Sequence, residues 1–414
     1  MKIGFYGNAN NYPFMLALAL RRMGHEILFI VSSPERLNRP EFRYGDFAGA
    51  YPPWIRDLSS GFRWRFLVPG GGRRIRTLLA TCDLVVLNEE GPALAADLGR
   101  PSVVLLTGSN LEIFADPAKA STLKPQLFSR PRWLQSVCRA LFPAAIIRRW
   151  LTTPQRAGIR QARLVAYFAR GLIPSGDRLL DEIGVPGDRR IFLLMADLEI
   201  NPCTPPPQNP VVRIFCLARL TWKAEPGSDL VSLDYKGTDR MIRGLALFWK
   251  KHGVKLEVRL ARKGRHVAET RQLVDELGLA DQVTWLAELT QSEVREEYRA
   301  ADIVFDQLAD SVVGMGGLEA MATGRPLIAN AHPEIIDPVI GEPSPVCQAR
   351  TAEEVLAQLE RLVLSPAERS RVGLAGRTYV ERHFSAAAAA HTCLQRLVHP
   401  PPATAFPEGA RSAP

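Results

Sequence analysis

Cysteine is scarce: six in 414 residues, at Cys82, Cys138, Cys203, Cys216, Cys347 and Cys393, with no C-x-x-C pair. That excludes a disulfide framework and a zinc site, and is the usage of a reducing compartment. No apolar run approaches the ~18 residues that would suggest a membrane span. No secretory leader is visible, because Met1–Tyr6 passes directly into a strand pattern. The turn after that strand, Gly7–Asn11, lacks G-x-G-x-x-G, so a dinucleotide fingerprint is missing there. Acid is absent from Ala118–Gly176, which holds eleven Lys or Arg and no Asp or Glu. Gly61–Thr81 is also free of acid and carries Arg63, Arg65, Arg73, Arg74 and Arg76.

What is present is globular: 46% hydrophobic and 23% charged residues. The length calls for two domains of somewhat under ~200 residues each. A net charge of +9 favours an anionic partner such as nucleotide phosphate, an anionic membrane surface or nucleic acid.

Lys2–Tyr6 reads as a buried strand, Phe14–Met23 as a helix ended by Gly24, and Glu26–Val31 as a second strand. Short apolar runs at Asp83–Asn88 and Ser102–Thr107 extend the alternation, which predicts a doubly wound parallel α/β sheet. Thr107–Asn110 then falls at a strand's carboxyl end, where such sheets bind ligands. Five prolines within Asn201–Pro210 mark a linker, and a second alternation begins at Val211. The expected domains are 1–200 and 211–385, joined by the linker 201–210. A terminal helix at 386–399 and a disordered Pro/Ala/Gly-rich tail at 400–414 complete the chain.

Two readings apply to the acid-free stretch, where Trp133, Phe142 and Trp150 are interleaved with cations. Ordinary solvated helix faces over a core explain it; so does a basic amphipathic surface resting on anionic lipid headgroups. Nucleic acid is disfavoured, because no nucleic-acid-binding module accompanies the charge.

The richest stretch is Ser311–Asn330. An apolar strand ends at Asp306, three glycines follow (Gly314, Gly316, Gly317), and a short helix carries Leu318 and Met321 on one face with Glu319 in its first turn. Gly324 and Pro326 stop it. Glycines ahead of a helix let amide N–H groups approach a phosphate, whereas Glu319 suits hydroxyls such as those of a ribose. The alternative is a tight strand-to-helix turn with Glu319 as a capping acid. Arg219 lies just past the strand Val211–Leu217, and Lys236-Gly237-Thr238 opens the next helix with Thr238 as its N-cap. A fork and a point charge at such edges suit a diphosphate; singly, each is an ordinary surface cation.

Together, Arg219-Leu220, Lys236-Gly-Thr-Asp-Arg240, Gly278-Leu279 with Val283-Thr-Trp-Leu286, Tyr298-Arg-Ala-Ala-Asp302 and Gly317–Pro326 resemble the donor half of family 4 glycosyltransferases. The match covers Val211–Asn330; the N-terminal half matches in architecture alone. The resemblance implies the GT-B fold, two Rossmann-like doubly wound domains facing across a cleft, with the last helix packing back on the first domain. It also implies retaining transfer of a sugar from a nucleotide diphosphate sugar, without a metal or other cofactor, and no D-x-D is placed to hold one. Arg219 and Lys236 would hold the diphosphate and stabilise it as leaving group. Gly314, Gly316, Gly317, Leu318 and Glu319 would complete the donor site, Glu319 matching the second acid of the family's E-x7-E. The chain departs from the family where the first acid belongs: that position is Ser311, with Asp310 beside it. The His often found after the fourth strand is also missing from Thr107–Asn110. Asp310 and Ser311 are thus the candidates for facing the sugar. The expected protein is a cytoplasmic glycosyltransferase, peripheral at the inner membrane face, acting on a surface-polysaccharide or lipid-linked acceptor. A catalytically weak nucleotide-sugar binding protein, or a GT-B sugar-nucleotide epimerase, are the alternatives.

Overall fold

The computed structural model describes residues 1–59, 72–121, 144–223, 235–309 and 313–398. They form two compact units, Met1–Leu193 together with the chain from Ala389 onward, and Leu194–Ala388.

The first unit is built on seven parallel strands: β1 (Lys2–Tyr6), β2 (Glu26–Val31), β3 (Ile55–Asp57), β4 (Leu84–Leu87), β5 (Ser102–Leu105), β6 (Leu164–Tyr167) and β7 (Arg190–Phe192). Their order across the sheet is β3-β2-β1-β4-β5-β6-β7. Runs such as Leu-Val-Val-Leu in β4 are buried at every position, as a parallel sheet covered on both faces requires. Phe14 of helix Tyr12–Arg22 meets Phe29 of β2 edge-to-face at 4.8 Å, and Phe29 stacks on Phe5 of β1 at 5.8 Å.

The second unit has six parallel strands: β8 (Arg213–Cys216), β9 (Glu257–Ala261), β10 (Val283–Leu286), β11 (Ile303–Phe305), β12 (Leu327–Ala329) and β13 (Cys347–Gln348). Their order is β10-β9-β8-β11-β12-β13. Both sheets therefore reverse direction once, between β1 and β4 and between β8 and β11. Ligands of open α/β sheets bind outside the strands' carboxyl ends at such a reversal.

The compact units change over at Leu193–Leu194, before the proline segment that the sequence marks as the linker. That segment is held to the second unit. Buried Arg325 donates to the Thr204 and Pro205 carbonyls (3.2 and 2.9 Å) and to Thr204 Oγ1 (2.6 Å). Asn209 Nδ2 reaches the Ala300 carbonyl and Asp302 Oδ2. Prolines rule out helix and central strand but not packing: a chain without its own ladder offers carbonyls to a buried guanidinium. Helix Ala386–Val398 buries Ala389, Ala390 and Cys393, the part that groups with the first unit. The expected tail 400–414, and Trp133 and Phe142 of the basic stretch, lie outside the described residues. No described helix is long and apolar enough to cross a membrane.

Candidate functional site

In the second unit Arg219, Lys236 and the glycine helix flank the β8/β11 reversal. β8 ends at Cys216, and Arg219 follows as an exposed side chain. A continuous run of backbone hydrogen bonds then crosses the sheet edge. The Leu220 amide donates to the Lys263 carbonyl (2.7 Å), the Lys236 amide to the Thr221 carbonyl (2.7 Å), and the Leu308 amide to the Lys236 carbonyl (2.9 Å). The segments bearing Arg219, Lys236 and the end of β11 are thereby fixed relative to one another. Lys236 Nζ donates to Gln307 Oε1 at 2.5 Å, which places the ammonium over the β11 turn.

Helix Thr238–His252 begins differently from expectation. Its N-cap is Gly237, in the left-handed region at φ 68°, and no side chain caps it. A Cβ on Gly237 would stand 3.0 Å from the Ala309 amide nitrogen, so the close approach of these two turns requires glycine. Thr238 Oγ1 instead reaches back to the Arg219 carbonyl at 3.4 Å.

The glycine stretch is also rearranged. Helix Met315–Ala322 starts ahead of Gly316 and Gly317, so both lie inside it, and Glu319 falls in its second turn rather than its first. Tertiary packing overrides the poor helix propensity of glycine here. A Cβ on Gly317 would stand 2.8 Å from Asp306 Oδ2, and one on Gly316 would stand 2.9 Å from the Tyr298 hydroxyl. Asp306, at the end of β11, accepts the Gly314 amide at 2.8 Å and is also hydrogen-bonded by the Gly317 and Gln307 amides. The helix N-terminus that the sequence offers to a phosphate thus already faces an internal carboxylate. Burial pushes the Asp306 carboxyl up from its usual range, while these amides and the charge of Lys236 pull it down. Leu318 and Glu319 are both buried.

Asp306 is the residue that sequence reading passes over; its signal is a lone acid closing an otherwise apolar strand. Asn330 is a second. It is fully buried and donates to the Ala309 carbonyl at 3.0 Å, and its Oδ1 accepts from Gln348 and Arg350. Asp306 and Asn330 therefore hold Gly314 and Ala309, on either side of residues 310–312. Asp310 and Ser311, the expected sugar-facing pair, lie outside the described residues.

The glycosyl transferases group 1 family model matches residues 232–379, which includes Lys236, the glycine stretch and Glu319. The MMP alpha-(1->4)-mannosyltransferase of Mycolicibacterium hassiacum is 29% identical over 153 residues, 36% of this chain and 36% of that protein. The D-inositol 3-phosphate glycosyltransferase of Mycolicibacterium smegmatis is 33% identical over 99 residues, 23% of this chain and 22% of that protein. The chain thus spans about a third or less of the length of either relative. Among solved structures, Anabaena HepE in complex with UDP superimposes with a TM-score of 0.61 over 96% of this chain and 100% of that one, at 13% identity. Two parallel Rossmann-like sheets give this chain the GT-B fold, and its C-terminal region, residues 232–379, matches the group 1 glycosyl transferases.

Proposed function

We propose that the protein is a retaining glycosyltransferase that takes a sugar from a nucleotide diphosphate sugar and passes it to a polysaccharide, lipid-linked or other cell-surface glycan acceptor. The observation that carries this reading is the backbone run Lys263–Leu220–Thr221–Lys236–Leu308, which holds Arg219 and Lys236 at the sheet reversal. The match of residues 232–379 and the UDP bound to HepE support the same donor chemistry.

In this mechanism Arg219 and Lys236 bind the diphosphate. As the glycosidic bond breaks, negative charge grows on the departing diphosphate. Cations already fixed in place stabilise that charge without reorganising. Gln307 orients the Lys236 ammonium, and Asp306 keeps the glycine helix in register. Glu319 accepts from the nucleotide's ribose hydroxyls, and Asp310 or Ser311 faces the sugar. Serine can donate and accept hydrogen bonds but carries no charge, so it supports a positive, oxocarbenium-like sugar less than a carboxylate does. Ser311 is also the feature that favours the second reading, a catalytically weak nucleotide-sugar binding protein.

The acceptor side includes the exposed Arg148, Arg149 and Trp150, with the Arg149 guanidinium 5.9 Å from the Trp150 ring centroid. We assign this patch to an anionic membrane surface, where Trp and Arg share the headgroup layer. A panel of nucleotide sugars, scored for released nucleoside diphosphate with and without membrane extract, tests the function. Release that depends on the extract supports the transferase. Binding of one nucleotide sugar without release under either condition supports the binding protein instead. No binding of any member overturns both.

A further inference from the structure

We infer that His266 is a positioning residue for the diphosphate site, acting as a latch on the segment that carries Arg219; this rests on the donor-site reading above. His266 is buried at the mouth of helix Val267–Glu276. Its Nδ1 accepts two backbone amides, from Trp222 at 3.0 Å and from Lys223 at 3.2 Å. An Nδ1 that accepts both carries no proton, so the ring is the Nε2–H tautomer while the latch is closed.

The rest of the contact is built around that arrangement. The His266 amide donates back to the Leu220 carbonyl at 2.9 Å. The Trp222 indole Nε1 donates to Thr270 Oγ1 at 2.8 Å, and that hydroxyl donates to the His266 carbonyl at 2.6 Å. The Trp222 and His266 rings meet edge-to-face at 6.1 Å. Gly264 sits at φ 128°, and a Cβ there would stand 2.5 Å from the Leu220 amide nitrogen, so the turn presses directly on the segment.

Leu220–Lys223 has no strand or helix of its own. On one side it hangs on His266, Thr270 and Lys263. On the other, its Thr221 carbonyl receives the Lys236 amide. Both cations of the site are therefore referenced to a stretch whose two consecutive amides, Trp222 and Lys223, end on one imidazole nitrogen. Removing that acceptor leaves two amides without their partner and lets the segment shift, moving Arg219 and Lys236 off a shared target without touching either.

Two substitutions separate acceptor from ring. In His266→Asn the amide oxygen occupies the place of Nδ1 and keeps the latch. In His266→Phe the ring contact with Trp222 is kept and the acceptor is lost. Backbone hydrogen exchange at Trp222 and Lys223 reads the latch without any ligand. Calorimetry with UDP, GDP and ADP reads the site. The expected result is fast exchange in His266→Phe and wild-type protection in His266→Asn. Nucleoside diphosphate binding should weaken by roughly tenfold in His266→Phe and stay within about twofold of wild type in His266→Asn. A circular-dichroism melt of both variants controls for global unfolding. Equal exchange in wild type and a folded His266→Phe overturns the latch, as does loss of protection in a folded His266→Asn. Altered exchange with unchanged affinity overturns the positioning role while leaving the latch. Failure of wild-type protein to bind any of the three nucleotides overturns the functional reading instead, and takes the ligand half of the inference with it.

Discussion

At the scale of single residues, the proposed site sets two cations beside an acid that the fold keeps for itself. Lys236 is oriented by Gln307 and tied through its backbone to Thr221 and Leu308. Lys236→Ala should weaken nucleoside diphosphate binding by about 1.5–3 kcal/mol, the range for hydrogen bonds to charged groups. Unchanged affinity by calorimetry would remove Lys236 from the site. Asp306 makes a different prediction. Burial raises its folded-state pKa above the unfolded value, so the native state holds the proton more tightly. Stability from this group is then present below the unfolded pKa and lost as pH rises through the folded one. Asp306→Asn keeps an acceptor for the Gly314 amide and removes the desolvated charge. Its melting temperature relative to wild type should therefore climb as pH is raised from the ordinary carboxylate range toward neutrality. A difference that is flat or falls with pH would show that the amides and Lys236 outweigh burial.

At the scale of elements, strands and helices follow from local pattern, and the departures occur where tertiary contacts set the ends. Helix Met315–Ala322 takes in two glycines because side chains from β11 and Tyr298 fill the space that Cβ atoms would need. Helix Thr238–His252 is entered through a left-handed Gly237 because Ala309 lies against it, so Thr238 loses the capping role that its hydroxyl suggests. The stretch Arg148–Thr153 exposes Arg148, Arg149 and Trp150 while burying Leu151. Each basic residue near an anionic surface contributes about 1 kcal/mol, screened by salt. Arg148→Glu with Arg149→Glu should thus abolish sedimentation with anionic vesicles at low salt, and wild type should lose it at high salt. Equal indifference of the wild type to anionic and neutral vesicles would dispose of the membrane assignment.

At the scale of the whole molecule, one buried cation helps tie the proline segment to the second unit. Arg325 is 1% exposed and donates to the carbonyls of Tyr298, Arg299, Thr204 and Pro205. Desolvation lowers its pKa, yet the ring of carbonyls holds it in place. Arg325→Met fills much of the volume but strands these acceptors, at about 1–3 kcal/mol for each one left buried and unmet. The second unit should melt earlier, and the proline segment should become open to limited proteolysis at Asn201–Pro210. A variant with wild-type melting and no new cleavage would mean that the segment is held by its other contacts.

The sequence by itself determined the class of fold and put forward a candidate site. Apolar runs of strand length, alternating with helical periodicity and punctuated by Gly and Pro, leave a doubly wound parallel sheet as the arrangement that buries them. Arg219, Lys236 and Glu319 could be picked out because charged residues at the ends of buried elements stand apart from their surroundings. Only the tertiary structure decided what those residues touch. Asp306 meets the Gly314 amide eight residues on, while Asn330 on the Ala309 flank, His266 under Leu220–Lys223 and Arg325 on the proline segment act across longer separations. No periodicity records such contacts, because a hydrogen bond between distant segments constrains where two residues meet and leaves no local pattern around either. The same reason places the boundary between units at Leu193–Leu194 rather than at the prolines: composition shows where a chain cannot form regular structure, and packing shows which side it joins.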